Sequence, residues 1–171
     1  MHNNITVRRT KQDFLDHSNS ILQDLRKKEF TKIKKPVWLT WLPRNAGPFW
    51  KKLFTDPKVG AFWFSPRLVL REAGLKIDSA EHKRHLEALS GTEIIIFNPQ
   101  AKHLLTATDE QIRELLRHEL LHIELQKGHD AQFLNTALKR DIIVHTRDIL
   151  NQIDSVDLNR AIHYLEDQDA D

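Results

Sequence analysis

The 171-residue sequence predicts an α+β fold. Three observations carry this. The chain opens with an amphipathic helical pattern, short apolar and β-branched runs fill its middle, and helical stretches close it. Strands grouped ahead of helices argue against a repeating βαβ architecture. The length suits one compact domain able to bury a core. Within it, the expected division is a basic, helical N-terminal segment over residues 1–35 and a main body over residues 36–171.

Taken in order, residues 10–29 read as a helix, because Phe14, Ile21, Leu22 and Leu25 recur at near-helical spacing with charges between them. The basic stretch after it ends at Pro36. Val37–Leu42 is apolar, aromatic and β-branched, the composition of a strand. Pro43–Pro48, with Asn45 and Gly47, is turn material, and Phe49–Phe54 reads as a short helix. Val59–Phe64 and Arg67–Arg71 read as two strands around Ser65-Pro66. Residues 79–89 read as a polar helix or a long excursion. Glu93–Phe97 (EIIIF) is the clearest strand.

Thr108 then offers an N-cap, with Glu110 and Gln111 in the first turn. Ile112, Leu115, Leu116, Leu120 and Ile123 carry the apolar stripe of a long helix. That helix is expected to end near Gly128, since glycine takes the left-handed conformation cheaply at a helix C-terminus. Asp130 can cap a further helix bearing Phe133, Leu134, Leu138 and Ile142. A last helix is expected over about Leu158–Leu165, followed by an acidic tail.

Composition bounds the function. Hydrophobic residues make up 40% of the chain and charged ones 29%, an ordinary globular balance. The sequence has no cysteine, which excludes disulfides, thiolate metal sites and a cysteine nucleophile. No apolar run approaches the roughly 18–20 residues that span a membrane. The first residues lack the apolar core of a secretory signal. Together these predict a cytoplasmic protein with no membrane partner. The formal charge is +2 and the sequence pI about 8.9. Arg26, Lys27, Lys28, Lys32, Lys34 and Lys35 cluster early, followed by Lys51 and Lys52. Such a run is more often a solvated helix end than a contact surface for a phosphate backbone. Trp38, Trp41 and Trp50 lie nearby and could stack on bases, although core packing is the commoner use of such rings.

The chemistry lies in HELLHIELQKGHDAQF, from His118 to Phe133. Residues four apart on a helix share a face, so His118 and His122 can hold one metal ion. Glu119 sits about 100° around the helix from His118, which suits a general base for a metal-bound water. A catalytic zinc needs three protein ligands and one open position. His129 is the expected third ligand if the chain turns back at Gly128, with Glu166 as the fallback. Asp130 is placed to accept a hydrogen bond from a ligand imidazole and set its tautomer. HExxH alone arises by chance on the order of a few per cent of the time in a chain this rich in histidine. A single histidine on that apolar face would more often be a core residue. Two histidines four apart, a glutamate between them and a Gly-His turn beyond are much harder to obtain by accident. His82, His85 and His103 read as surface residues, and His145 and His163 as structural or exposed ones. One of these last two, or Tyr164, is a candidate to stabilise a tetrahedral intermediate. Glu124 reads as a solvated or helix-pairing residue.

These residues resemble a known family. A strand followed by an asparagine (Ile94–Pro99), a helix carrying HELLH, then GHDAQF looks like the SprT-like and WLM-type zinc metallopeptidases, a compact, minimal gluzincin-like group. The resemblance covers about residues 60–140. It implies zinc as cofactor, His118, His122 and His129 as ligands, Glu119 as base and Phe133 as a core residue. It also implies a zincin-like fold in which a small, mostly antiparallel sheet packs against the HExxH helix. In that group the strand before the metal helix is an edge strand that pairs with extended peptide, which would make Ile94, Ile95 and Ile96 substrate-binding. The chain lacks the cysteine-rich zinc ribbon of some SprT-like proteins, its His122-to-His129 spacing differs from several relatives, and its first 55 residues match no family pattern.

The function expected is that of a zinc-dependent metallopeptidase acting on peptide or protein. One alternative, implied by the family, is cleavage of DNA-bound or crosslinked proteins, with the basic N-terminal region as a DNA tether. Another is a non-catalytic zinc-binding regulatory protein, against which Glu119 argues, because a structural site needs no base.

Overall fold

The computed structural model describes residues 7–42, 56–64 and 91–169. The expected turn at Pro43–Pro48, the helices over Phe49–Phe54 and 79–89 and the strand Arg67–Arg71 lie outside the described residues, as do Trp50, Lys51, Lys52, His82 and His85. The fold is α+β, with a small three-stranded mixed sheet and, among the described residues, five α-helices. The chain forms two compact units that meet in sequence between Arg113 and Glu114.

In the first unit, helix α1 (Lys11–Lys28) starts where the Thr10 hydroxyl accepts the Asp13 N–H at 3.1 Å. This satisfies one of the amide groups that a helix start leaves bare. Its apolar stripe buries Phe14, Ile21, Leu22 and Leu25. Phe14 meets Trp41 and Phe97 at centroid distances of 5.1 and 4.9 Å. The N-terminal helix and the sheet therefore share one aromatic core.

The sheet has strands β1 (Val37–Trp41), β2 (Ala61–Phe64) and β3 (Glu93–Phe97) in the order β1-β3-β2. β1 runs parallel to β3, with Leu39 opposite Ile95, and β2 runs antiparallel to it, with Trp63 opposite Ile95. Two expectations are corrected here. The sheet is mixed rather than mostly antiparallel. β3 is its central strand, not an edge, so its backbone is bonded on both sides and Ile94, Ile95 and Ile96 are buried in the sheet. An added peptide has no strand edge to pair with at these isoleucines. The physical reason is the unbroken apolar run: a strand buried on both faces reads as continuous rather than alternating. One face of the sheet carries Leu39, Ile95, Phe97 and Trp63. The other carries Ile94, Ile96 and Phe64, which cluster with Leu42.

Two buried polar groups close this unit. The Glu93 carboxylate accepts the Trp63 indole N–H at 2.9 Å. Asn98, fully buried, donates to the carbonyls of Asp56 and Val59 and accepts the Gln100 N–H. It ties the end of β3 to the approach to β2. A short 3-10 helix (Lys102–Thr106) follows.

Helix α2 (Asp109–Leu125) opens with a reciprocal capping box. The Thr108 hydroxyl accepts the Gln111 N–H at 3.2 Å and the Gln111 side chain accepts the Thr108 N–H at 2.9 Å. The second unit contains the rest of α2, followed by α3 (Ala131–Lys139), α4 (Thr146–Asn151) and α5 (Leu158–Asp169). Helices α3 and α5 pack together. Leu120, Leu121, Phe133, Leu134, Ala137, Ile149 and Ala161 are fully buried in this unit.

Both α2 and α3 end in the same way. Lys127 N–H bonds to the His122 carbonyl and Gln126 N–H to that of Ile123, with Gln126 at φ 54°. Ile142 N–H bonds to the Ala137 carbonyl and Asp141 N–H to that of Leu138, with Asp141 also at φ 54°. Each is a Schellman motif with a non-glycine residue in the left-handed position. The expectation that Gly128 ends α2 is thus corrected: the reversal comes earlier, at Gln126, and Gly128 lies outside the left-handed range.

Candidate metal centre

His118, His122 and His129 come together in the second unit. His118 and His122 stand one turn apart on α2. The Schellman turn at Gln126 reverses the chain, and Asp130 starts α3 by accepting the Phe133 N–H at 2.9 Å. His129 is held between these two features. Its Nε2 lies 3.1 Å from those of both His118 and His122, and these last two are 3.2 Å apart.

These three contacts are not hydrogen bonds among the rings. His118 Nδ1 lies 2.7 Å from the Ile143 carbonyl and His122 Nδ1 lies 2.6 Å from the Lys127 carbonyl. A carbonyl oxygen only accepts, so each Nδ1 carries the hydrogen and each Nε2 is left with a lone pair. His129 Nδ1 faces a carboxylate, Asp148 Oδ2, at 3.5 Å. His118 and His122 therefore each have a carbonyl acceptor behind them and a lone pair turned toward a shared point, and His129 presents its Nε2 to the same point with a carboxylate behind it. That is the arrangement of metal-ligating histidines. The spacing also fits: ligands about 2.0–2.1 Å from a tetrahedral ion stand roughly 3.3 Å apart. The group can hold a metal ion.

Burial keeps the ligands neutral. Desolvation pushes the His118 pKa down to about 4, helped by the charges of His129 and His145 and opposed by the bond to Ile143. Desolvation and then the His118 charge push His122 down to about 3. His129 is the most exposed of the three, and the part of its ring that is desolvated still lowers its pKa, against the pull of Asp148. Neutral imidazole is the form that binds metal.

Phe133 forms the floor of the cluster. Its ring stacks on His122 with centroids 4.1 Å apart and planes 14° apart. His118 and His129 meet it at 5.2 and 5.3 Å. The residue is fully buried.

No family model, curated protein or solved structure matches this chain.

Glu119 lies on α2 between the two helical ligands and is 5% exposed. The Asp130 carboxylate caps α3, pairs with Lys127 at 3.2 Å and acts through its charge on His122, while the Asp148 carboxylate faces His129 Nδ1. Glu166 is exposed and stands outside the three-histidine group. The Tyr164 hydroxyl donates to the Val144 carbonyl at 2.8 Å and accepts the Val144 N–H at 3.2 Å. That engagement takes it from the oxyanion role. His163 is exposed and pairs with Asp167 at 3.5 Å, and His103 is also exposed. His145 is exposed, yet its charge acts on both His118 and His129. Glu124 is a helix-pairing residue, 2.6 Å from Arg140.

Sequence reasoning missed α4, Asp148 and the two carbonyl acceptors. Backbone acceptors have no residue signature, and an aspartate 19 positions beyond His129 carries no spacing signal. Arg117, next to His118, also escaped notice. Its guanidinium donates to the carbonyls of Arg140 and Asp141, which fixes the turn leading to Ile143.

Proposed function

We propose that the chain is a zinc-dependent metallopeptidase of the SprT-like and WLM-type kind, with a zincin-like fold and a cytoplasmic location. The observation that carries the reading is the convergence of three imidazole Nε2 atoms, two of them from histidines that flank the buried Glu119 along α2. Three neutral imidazoles without a thiolate suit zinc and leave room for an open coordination position. When bound, zinc acts as a Lewis acid that lowers the pKa of a water to roughly 7 and polarises a carbonyl.

The chain's own groups do the rest. His118, His122 and His129 hold the ion, and Phe133 keeps water from their lower side. Glu119, shielded from bulk solvent, takes the proton of the attacking water and later returns it to the leaving amine of the peptide. His145, whose charge acts on His118 and His129, is the candidate to stabilise developing negative charge.

The test is Glu119→Gln, assayed on a chemically denatured protein with metal content measured in parallel. Hydrolysis by the wild type, its loss in the variant and retention of metal in both are expected. Full turnover by the variant would contradict the role of Glu119.

A second reading is favoured by one surface. Lys27, Lys28, Lys32, Lys34 and Lys35 are exposed at the end of α1, and Trp38 nearby in sequence is 56% exposed. In this reading the substrates are DNA-bound or crosslinked proteins, with the basic surface tracking phosphates and Trp38 stacking on a base. Neutralising Lys27, Lys28, Lys34 and Lys35 should abolish a salt-sensitive DNA affinity. No DNA binding at low salt would remove this reading.

A further inference from the structure

The peptide group between Ile143 and Val144 is gripped at both ends. Its carbonyl oxygen accepts the His118 Nδ1–H at 2.7 Å. Its N–H donates to the Tyr164 hydroxyl at 3.2 Å, and that hydroxyl donates in turn to the Val144 carbonyl at 2.8 Å. A peptide unit is planar, so fixing its N–H fixes the direction of its C=O. Hydrogen bonds in series also polarise one another: an acceptor on the N–H makes the carbonyl a stronger acceptor. Val144 is 5% exposed, so water is a poor substitute for the hydroxyl.

The same segment supports a second ligand. Asp148, in α4, faces His129 Nδ1, and the Gln152 side-chain amide donates to the His129 carbonyl. Two of the three ligand imidazoles therefore take their orientation from residues 143–152, and Tyr164 of α5 holds the start of that segment in place.

We propose that Tyr164, the only tyrosine of the chain, is a positioning residue for the metal ligand His118, acting through the Ile143–Val144 peptide. This rests on the three-histidine metal reading. It assigns α5 a part in the metal site although α5 supplies no ligand. Loss of a group that orients a ligand typically weakens metal binding by about 10–100-fold.

The experiment compares wild type with Tyr164→Phe. Zinc affinity is measured by competition with a chromophoric chelator, and the visible spectrum of the cobalt(II)-loaded protein is recorded at saturating metal. About tenfold weaker zinc binding and a changed cobalt spectrum are expected for the variant. The spectrum reports ligand geometry in fully loaded protein, so a loss of fold stability alone does not move it. Affinity within twofold of wild type with an identical cobalt spectrum would overturn the proposal. Should the variant not fold, hydrogen exchange at the Val144 amide of the wild type decides, because zinc loading must slow it if the hydroxyl clamp and the ligand are coupled. Equal exchange with and without zinc would overturn the proposal. A wild type that takes up no zinc overturns the metal reading, and this inference with it.

Discussion

The Phe133 ring stacks on the His122 imidazole, with centroids 4.1 Å apart and planes within 14° of parallel. This contact joins the metal ligands to the core, because the same ring meets His118 and His129 at its edges. The three-histidine group is thus built on a packed side chain rather than on a loose turn. Phe133→Ala should cost about 3–5 kcal/mol of stability through lost burial and the cavity left behind. Chemical denaturation of the metal-free protein checks this. A cost below about 1 kcal/mol would mean that Phe133 is not the floor of the site.

Acid should destabilise the second unit in a defined window. Unfolded histidine binds its proton near pH 6.5, whereas burial holds His118 to about 4 and His122 to about 3. Between these values the unfolded chain binds more protons than the folded one, so stability falls as pH falls. The contribution is fully present above about pH 6.5 and is lost as pH drops toward the folded values. Melting of the metal-free protein from pH 8 to pH 4 checks the sign. Phe133-supported burial predicts a falling melting temperature below pH 6.5 that is blunted in His118→Gln. A flat profile would contradict the burial of these imidazoles.

Gly128 makes a third test. The glycine has no atom within 4 Å of an added Cβ and lies outside the left-handed range. Gly128→Ala should leave stability unchanged or raise it by up to about 1 kcal/mol, because alanine restricts the unfolded chain. Its metal binding should match wild type. A destabilised variant that loses metal would restore the reading in which Gly128 makes the turn.

These outcomes separate what the sequence made legible from what it hid. The apolar stripe of α2, the cap at Thr108 and the strand EIIIF were readable because each is a local pattern with one physical meaning. The ligands were readable because HExxH fixes two side chains on one helix face. The turn was not, because Gln126 adopts a conformation that side-chain chemistry does not advertise and glycine stood two residues away. The resemblance implies an edge strand at β3, whereas three consecutive isoleucines speak for burial on both faces, and β3 is the central strand. The parallel pairing of β1 with β3 is a long-range choice across more than 50 residues, and no local pattern encodes it. Asp148 depends on how α4 folds against the ligands, so it became visible only in three dimensions.

The central claim is that His118, His122 and His129 hold one metal ion. Elemental analysis of purified wild type and His129→Ala, prepared side by side with zinc supplied, tests it most directly. The account predicts about one zinc per wild-type chain and a sharp reduction in the variant, since a catalytic site needs three protein ligands. A wild type without metal, or a variant that keeps a full complement, would contradict it.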